Sequence, residues 1–304
     1  MSKPLRIGTR DSELALWQAQ TVMGLLKAEG VQAELSPVKS TGDLILDKPL
    51  YELGITGIFT KTLDVALLRG DIDLAVHSMK DVPTALPKGI VPVAVLKRAN
   101  PKDILVHKGL DFLNEEGIIA TGSLRRKAQW LRRYPLHEVV DLRGNVNTRL
   151  RKLDESEWNA AIFAAAGLER IGLLPEQHTV LDWMVPAPAQ GAMLVVAREG
   201  DQEAAAQTAF LHHAQTDSCV RAERAFLREL EGGCTAPIGA LARMEKGKMS
   251  FTGGLFALDG SQEIRVERTS DGKDPEGFGR NCAREVLERG GDALMQTIRK
   301  TLSR

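Results

Sequence analysis

The run Ile72-Asp73-Leu74-Ala75-Val76, followed at once by His77-Ser78-Met79-Lys80-Asp81-Val82-Pro83, decides the fold class of this chain. The apolar run has the length of a buried strand, and proline ends regular structure soon after it. In open α/β sheets, ligands bind in the loops beyond the carboxyl ends of the strands. The stretch is therefore interpreted as a buried α/β strand that leads directly into a ligand loop.

Strand and helix patterns alternate outward from this stretch through the first two-thirds of the chain. The other strand-like runs lie at residues 5–9, 32–38, 91–96, 104–107, 118–120, 139–142, 160–163 and 193–197. Helical periodicity is clear at Ala15, Ala19, Val22 and Leu26, which share one face of a helix. Further helices are predicted at residues 59–70, 124–133, 146–153 and 164–171. This alternation predicts α/β layers.

The pattern changes near Thr216 to that of an α+β domain. A helix is predicted over residues 220–230, strands over 238–244, 249–258 and 263–268, and closing helices over 275–289 and 293–302. The Pro-rich run 185–191 is interpreted as a connector. We therefore predict a first lobe of residues 1–98 and 192–212, a second lobe of residues 99–191, and a C-terminal α+β domain of residues 213–304.

Composition narrows the class of partner. The 304 residues include 40 Lys and Arg and 40 Asp and Glu, so the formal net charge is zero and neither nucleic acid nor a membrane surface is indicated. No apolar run is typical of a secretory signal or a membrane span. Cys219, Cys234 and Cys282 are odd in number and widely spaced, which indicates neither a disulfide framework nor a zinc site. We expect a cytoplasmic monomer without a bound metal.

Each predicted ligand loop carries cations, which are Arg10, Lys80, Arg125, Arg126, Arg143 and Arg149. Arg125 and Arg126 follow Ser123, a good N-cap, and so fall in the first turn of a helix, where the macrodipole disfavours positive charge. A bound anion would reverse that effect. Any one of these arginines alone is more simply a solvated surface charge. Their clustering indicates a ligand with several carboxylates or phosphates.

Asp81 and Cys234 each have a functional and a structural interpretation. In the functional interpretation, the Asp81 carboxylate lies among cations and stabilises a cationic intermediate. In the structural interpretation, Asp81 forms an ion pair or caps a turn. Cys234 lies in the loop Gly-Gly-Cys-Thr-Ala-Pro, where it is a candidate nucleophile or an inert thiol. Cys219 and Cys282 fall within helical patterns and are predicted to belong to the core.

Together, these motifs resemble the porphobilinogen deaminase family. The shared segments are 77–83, Arg10 with Ser12 and 14–18, 123–126, 142–146 with Thr148 and Arg149, and 231–234 with 237–239, in the order of the family. The resemblance implies two lobes similar to those of a periplasmic-type binding protein, with a cleft between them, and a third domain that carries Cys234. It also implies a dipyrromethane cofactor attached to Cys234 by a thioether. Four porphobilinogen molecules would add to it with loss of ammonia, giving hydroxymethylbilane for tetrapyrrole and heme biosynthesis.

The resemblance also implies roles for individual residues. Asp81 and Lys80 are the implied catalytic residues. The implied cofactor-binding residues are Cys234, Ser78, Lys80, Asp81, Thr121, Ser123, Arg125, Arg126 and Arg143. The implied substrate-binding residues are Arg10, Ser12, Gln18, Lys61, Arg143, Arg149 and Gln190. Each pyrrole carries an acetate and a propionate, which match the multi-anion ligand that the loops indicate.

The chain departs from the family pattern at three positions. Thr56 stands where a lysine is usual in the lid segment, and Asn147 and Ala189 replace common glycines. Two other classes of protein compete with this interpretation. A non-catalytic, two-lobed small-anion binding protein explains the arginine loops but not Cys234 or a third domain. A DNA-binding regulator would need a helix-turn-helix with a basic face, which the sequence does not show.

Overall fold

The computed structural model describes residues 3–38, 60–230 and 236–302. These residues form two compact units. The first comprises residues 3–38, 60–99 and 191–217, and the second comprises the described residues of 100–190 and 218–302. The chain thus leaves the first unit after residue 99 and returns to it at residue 191.

The first unit contains a five-stranded sheet. Its strands are Leu5–Thr9 (β1), Ala33–Pro37 (β2), Leu74–Ser78 (β3), Ile90–Val95 (β4) and Met193–Arg198 (β10). Its helices are Glu13–Ala28 (α1), Lys61–Arg69 (α2) and Gln202–Thr208 (α6). The strand order is β2-β1-β3-β10-β4, and β10 runs antiparallel to both of its neighbours. As expected, the strand at residues 193–197 rejoins the first sheet.

Helix α1 packs on this sheet through residues at helical spacing. Ala19, Val22 and Leu26 are fully buried and share a core with Ile7 and Leu74. Because residues three and four apart lie on one face of a helix, this stripe fixes which side of α1 meets the sheet. The periodicity of the sequence correctly predicted that face.

The second unit begins with another five-stranded sheet. Its strands are Asp103–His107 (β5), Ile118–Ala120 (β6), Glu138–Val140 (β7), Ala160–Ala164 (β8) and His178–Val180 (β9). Its helices are Leu124–Arg133 (α3), Val146–Glu155 (α4) and Ala165–Arg170 (α5). The order is β7-β6-β8-β5-β9, with β5 antiparallel to both of its neighbours.

The two sheets share one topology. In each, the second strand of the order pairs in parallel with both of its neighbours, and the fourth strand is antiparallel: β1 corresponds to β6, β3 to β8 and β10 to β5. Helices α1 and α3 occupy equivalent places, since each follows the second strand in the order of its sheet. The loops after β1 and β6 are therefore equivalent positions, and both carry predicted ligand residues.

The rest of the second unit is α+β. Helix Ala214–Glu229 (α7) precedes an antiparallel sheet of Ile238–Glu245 (β11), Lys248–Phe256 (β12) and Glu263–Ser270 (β13), and Pro275–Val286 (α8) and Asp292–Leu302 (α9) follow. Gly260 has φ +76°, as a tight turn between β12 and β13 requires. Phe226 and Phe251 pack with ring centroids 5.2 Å apart in its core. The mixed α/β class with a C-terminal α+β part is confirmed.

Several boundaries differ from the predicted ones. β3 begins two residues later than the apolar run and includes His77 and Ser78, because pairing with β10 continues through them. Helix α7 begins at Ala214, six residues before the predicted start at residue 220. The ring of His213 caps this earlier start, because its Nδ1 accepts the Thr216 N–H at 3.2 Å. Strand β9 and helix α6 were not predicted. Within the described ranges, no helix is long and apolar enough to cross a membrane.

Candidate active site

A short 3₁₀ turn, Met79–Asp81, follows β3 and carries the two predicted catalytic residues. The Met79 N–H donates to the Ala192 carbonyl at 3.0 Å, and the Val82 N–H donates to the Met79 carbonyl at 3.2 Å. Met79 is buried, whereas Lys80 and Asp81 are half-buried. The turn is therefore fixed by its backbone and by Met79, and it leaves both charged side chains accessible.

Gln18 lies beside this turn. Its side chain is buried, and its Nε2 donates to the Ser78 hydroxyl at 2.8 Å. Because the hydroxyl oxygen accepts this bond, its proton is directed toward a different acceptor. Gln18 thus orients Ser78, and the structure unites two residues that the resemblance had assigned separately.

The loop after β1 presents Arg10 and Ser12. Ser12 occupies the N-cap position of α1, yet its side chain makes no capping bond. Burial and, to a smaller extent, the positive charge of Arg10 together lower the pKa of His77 to about 4. His77 is therefore neutral near pH 7. Lys61 is exposed as the first residue of α2.

In the second unit, Arg125 and Arg126 meet a carboxylate of the protein itself. Arg125 Nη1 lies 2.7 Å from Asp103 Oδ2, and Arg126 Nη2 lies 2.8 Å from Asp103 Oδ1. Gln190 Nε2 donates to the same Oδ1 at 3.0 Å. All four side chains are buried. Three predicted site residues thus converge on Asp103.

The charge balance of this cluster remains positive. Burial opposes ionisation of Asp103, but the charges of Arg125 and Arg126 outweigh it and hold the pKa of that carboxyl well below its usual range. Two guanidinium groups against one carboxylate leave one net positive charge. The Nε of Arg125 is buried and has no hydrogen-bond partner among the described residues. We expected a bound ligand to supply the anion that offsets Arg125 and Arg126 at the N-terminus of α3. The Asp103 carboxylate of the protein itself supplies it.

The same end of this sheet carries the other predicted anion-binding residues. The Thr121 Oγ1 accepts the Ser123 N–H at 3.3 Å, and Ser123 caps α3. Burial lowers the pKa of Arg143. Arg149 Nε donates to the Gly144 carbonyl at 2.7 Å and so ties α4 to the loop that carries Arg143. The sequence therefore gathers polar donors at the carboxyl ends of β6 and β7.

Gln190 is aimed at this cluster by an unusual backbone. Ala189 has φ +62°, in the left-handed region, which explains why glycine is common there in the family. Its N–H donates to Glu223 Oε2 at 2.6 Å, and Glu223 Oε1 accepts the Ala242 N–H at 2.7 Å. Glu223, a fully buried residue of α7, thus bridges the Pro-rich segment 185–191 and strand β11.

The cysteine assignments are resolved only in part. Cys219 and Cys282 are buried in helices of the C-terminal part, as predicted, and burial raises the pKa of Cys282 to about 11. These two thiols are therefore structural. Cys234 and the lid departure Thr56 lie outside the described residues.

Sequence reasoning missed Asp103 and Glu223. The signal for Asp103 was an acidic residue directly before the apolar run 104–106. A second signal was the pair of adjacent arginines in the first turn of α3, which needs a nearby anion. Glu223 gave no signal, because a glutamate inside a helical pattern is ordinarily solvated. Both act through partners distant in sequence, 22 to 87 residues away for Asp103.

Comparison with known proteins identifies the family. A family model described as "Porphobilinogen deaminase, dipyromethane cofactor binding domain" matches residues 5–206, and one described as "Porphobilinogen deaminase, C-terminal domain" matches residues 218–288. The chain is 42% identical over 302 residues to the porphobilinogen deaminase of Trichlorobacter lovleyi, covering 97% of each chain. It is 43% identical to that of Moorella thermoacetica, covering 97% of this chain and 96% of the relative.

The similar solved structures are more distant. A methionine-binding protein, MetQ, is 17% identical with a TM-score of 0.45, covering 68% of this chain and 89% of its own. An ancestral cationic amino acid solute-binding protein is 16% identical with a TM-score of 0.41, covering 68% and 87%.

The chain belongs to the porphobilinogen deaminase family. It is a transferase of tetrapyrrole biosynthesis, and the family's cofactor is a dipyrromethane. Family membership agrees with the donor-rich loops that follow β1 in the first unit and β6 in the second.

Proposed function

We propose that this chain is a hydroxymethylbilane synthase that works with a dipyrromethane attached to Cys234 and with Asp81 as its central catalytic residue. The observation that carries the proposal is the equivalence of the loops after β1 and β6. Each places a serine at the N-cap of a helix and an arginine beside it: Ser12 with Arg10, and Ser123 with Arg125. This pattern suits a ligand that bears carboxylates on several rings.

The residues of the second unit fit a dipyrromethane. Its acetates and propionates require donors, and the cluster of Arg125, Arg126 and Asp103 has one net positive charge with a buried, unpaired Arg125 Nε. The residues proposed to hold it are Ser78, Lys80, Asp81, Thr121, Ser123, Arg125, Arg126, Arg143 and, covalently, Cys234. When bound, the group supplies the primer to which porphobilinogen units are added.

The first unit supplies the charges that act on porphobilinogen. Loss of ammonia leaves a cationic pyrrole, and the half-buried Asp81 carboxylate is proposed to stabilise that cation and to hold the proton of its ring nitrogen. Lys80 is proposed to bind a carboxylate beside it. Neutral His77 adds no competing positive charge beneath the turn. The residues proposed to bind the substrate are Arg10, Ser12, Gln18, Lys61, Arg143, Arg149 and Gln190.

The remaining features of the proposal concern the whole protein. Porphobilinogen is the substrate. We propose a cytoplasmic, monomeric enzyme that uses no metal and binds neither nucleic acid nor a membrane. We also retain the division into two lobes and a C-terminal domain as part of this proposal. The zero net charge supports the absence of a polyanionic partner.

Asp81→Asn tests the catalytic role. If Asp81 only anchors its turn, the variant keeps most of its rate. If it stabilises a cation, the loss of charge slows single-turnover consumption of porphobilinogen by about 10²–10³-fold. Asp81→Glu keeps the charge but moves it by one methylene, so an intermediate loss is expected.

Asp71→Asn is the matched control, because Asp71 is exposed and precedes β3 as closely as Asp81 follows it. It should react at the wild-type rate. Intact mass of each protein must establish that the cofactor is present before rates are compared. A cofactor-loaded Asp81→Asn protein that reacts as fast as Asp71→Asn would remove Asp81 from the mechanism.

A further inference from the structure

Asp103, the first residue of β5, is the carboxylate around which the arginines of α3 are arranged. None of its surface is exposed. A buried carboxylate is destabilising unless its charge is balanced and its oxygens are hydrogen-bonded. Its position therefore requires charged donors, and the donors present are residues proposed to bind the pyrrole ligand.

The two oxygens of Asp103 accept bonds from three side chains. Arg125 Nη1 donates to Oδ2 at 2.7 Å, and Arg126 Nε donates to Oδ1 at 3.0 Å. Gln190 Nε2 donates to Oδ1 at 3.0 Å. Asp103 is thus a common acceptor for helix α3 and the connector.

Backbone carbonyls complete the orientation of these three side chains. Arg125 Nη1 also donates to the Val185 carbonyl at 2.8 Å, and Arg126 Nη1 donates to the Ile162 carbonyl at 2.9 Å. Gln190 Nε2 also donates to the Pro101 carbonyl at 2.8 Å. The carbonyls fix directions, and Asp103 supplies the negative charge that allows two guanidinium groups to lie side by side.

We propose that Asp103 is a positioning residue of the anion-binding site. It holds Arg125, Arg126 and Gln190 in place before a ligand arrives, and it leaves their cluster with one net positive charge. The inference rests on the proposed function, because it takes these three residues to bind pyrrole carboxylates. It also gives a reason for an acid at the start of an otherwise apolar strand.

Asp103→Asn and Asp103→Glu test the proposal, with Asp182→Asn as the matched control. Asp182 is in the same unit and pairs with Lys102 at 2.8 Å, but its side chain is 79% exposed. Each full-length protein is produced in a host that makes porphobilinogen. Intact mass gives the fraction of chains with a dipyrromethane adduct, steady-state assays give KM and kcat, and thermal melting reports folding.

For Asp103→Asn, we expect the adduct-bearing fraction of the folded protein to fall at least about tenfold, which corresponds to about 1.4 kcal/mol. Asp103→Glu keeps the charge and should fold, but its extra methylene displaces the arginines, so it should load less completely than wild type and show a raised KM. Asp182→Asn should match wild type in all three measurements.

A purely structural Asp103 would give a different result. Folded Asp103→Asn or Asp103→Glu with a lower melting temperature, but with wild-type adduct content and KM, would overturn the proposal and leave the proposed function standing. Absence of the adduct from wild type and Asp182→Asn would instead contradict the proposed function, and this inference with it.

Discussion

His77 lies between the core of the first sheet and the 3₁₀ turn that carries Lys80 and Asp81. It pairs across β3 and β10 with Leu194, and its side chain is 7% exposed. Burial and the charge of Arg10 both disfavour its protonation, so its pKa falls to about 4. The polar ring therefore remains neutral while it supports Ser78 and Lys80 on the next residues of the chain.

This environment makes the stability of the protein depend on pH. Below pH 6.5 an unfolded His77 takes up a proton that the folded state refuses until about pH 4, so stability is lost as the pH falls through this window. At 1.36 kcal/mol per unit, the loss from His77 between pH 7.5 and 5 is about 2 kcal/mol. We expect His77→Gln to show a correspondingly smaller decrease in the free energy of unfolding over that range.

Denaturant unfolding of wild type and His77→Gln at pH 7.5 and pH 5 measures this difference. The comparison cancels the contributions of other titrating groups, such as His107, whose pKa is also lowered by burial. The same pH dependence in His77→Gln as in wild type would refute the role assigned to its burial.

Helix α4 carries two arginines in different environments, one half-buried and one exposed. Arg149 is half-buried and donates to the Gly144 carbonyl at 2.7 Å, whereas Arg151, two residues later, is exposed. Residues two apart on a helix do not share a face. The two arginines have the same sequence character, and only their faces distinguish them.

We therefore expect Arg149→Gln to raise the KM for porphobilinogen about tenfold or more, the effect of losing a charge-assisted hydrogen bond of about 1.5–3 kcal/mol. Arg151→Gln should leave KM within twofold of wild type, as expected for a surface charge. Steady-state kinetics on both variants checks this, with cofactor content matched by mass. Equal KM values for the two variants would show that Arg149 has no role in binding porphobilinogen.

Elements with strong local signals were predicted accurately. Helix α3 has its predicted bounds because Ser123 caps it and the apolar Ala128 and Trp130 are buried in two different hydrophobic clusters. β9, in contrast, has only three residues and no alternation, so its pairing with β5 depends on tertiary context. Local sequence is sufficient to predict a capped helix, whereas a short edge strand such as β9 forms because it pairs with a neighbouring strand.

The candidate site divides in the same way. The loops that carry Arg10, Lys80, Arg125 and Arg143 could be predicted from the ends of the predicted strands and from their positive charges. Their partners did not, because Asp103 meets Arg125 only after β5 and α3 pack together. Charge patterns predict where anions bind, whereas the internal ion pairs that orient those charges depend on contacts that are distant in sequence.

At the scale of the whole molecule, the second unit unites the five-stranded sheet of β5–β9 with the C-terminal α+β part. Glu223 of α7 joins Ala189 to Ala242, and Arg132 of α3 pairs with Glu263 of β13 at 2.8 Å. These contacts hold the segment before residue 231 in a fixed relation to α3. Helix α7 is therefore anchored within this unit.

The most direct test of the account is the intact mass of the purified chain, produced in a host that makes porphobilinogen. We predict that wild type, Cys219→Ser and Cys282→Ser are each heavier than their sequences by one dipyrromethane, and that Cys234→Ser has its bare sequence mass and does not consume porphobilinogen. A wild-type protein at its bare sequence mass, or an adduct that persists in Cys234→Ser, would contradict the central claim.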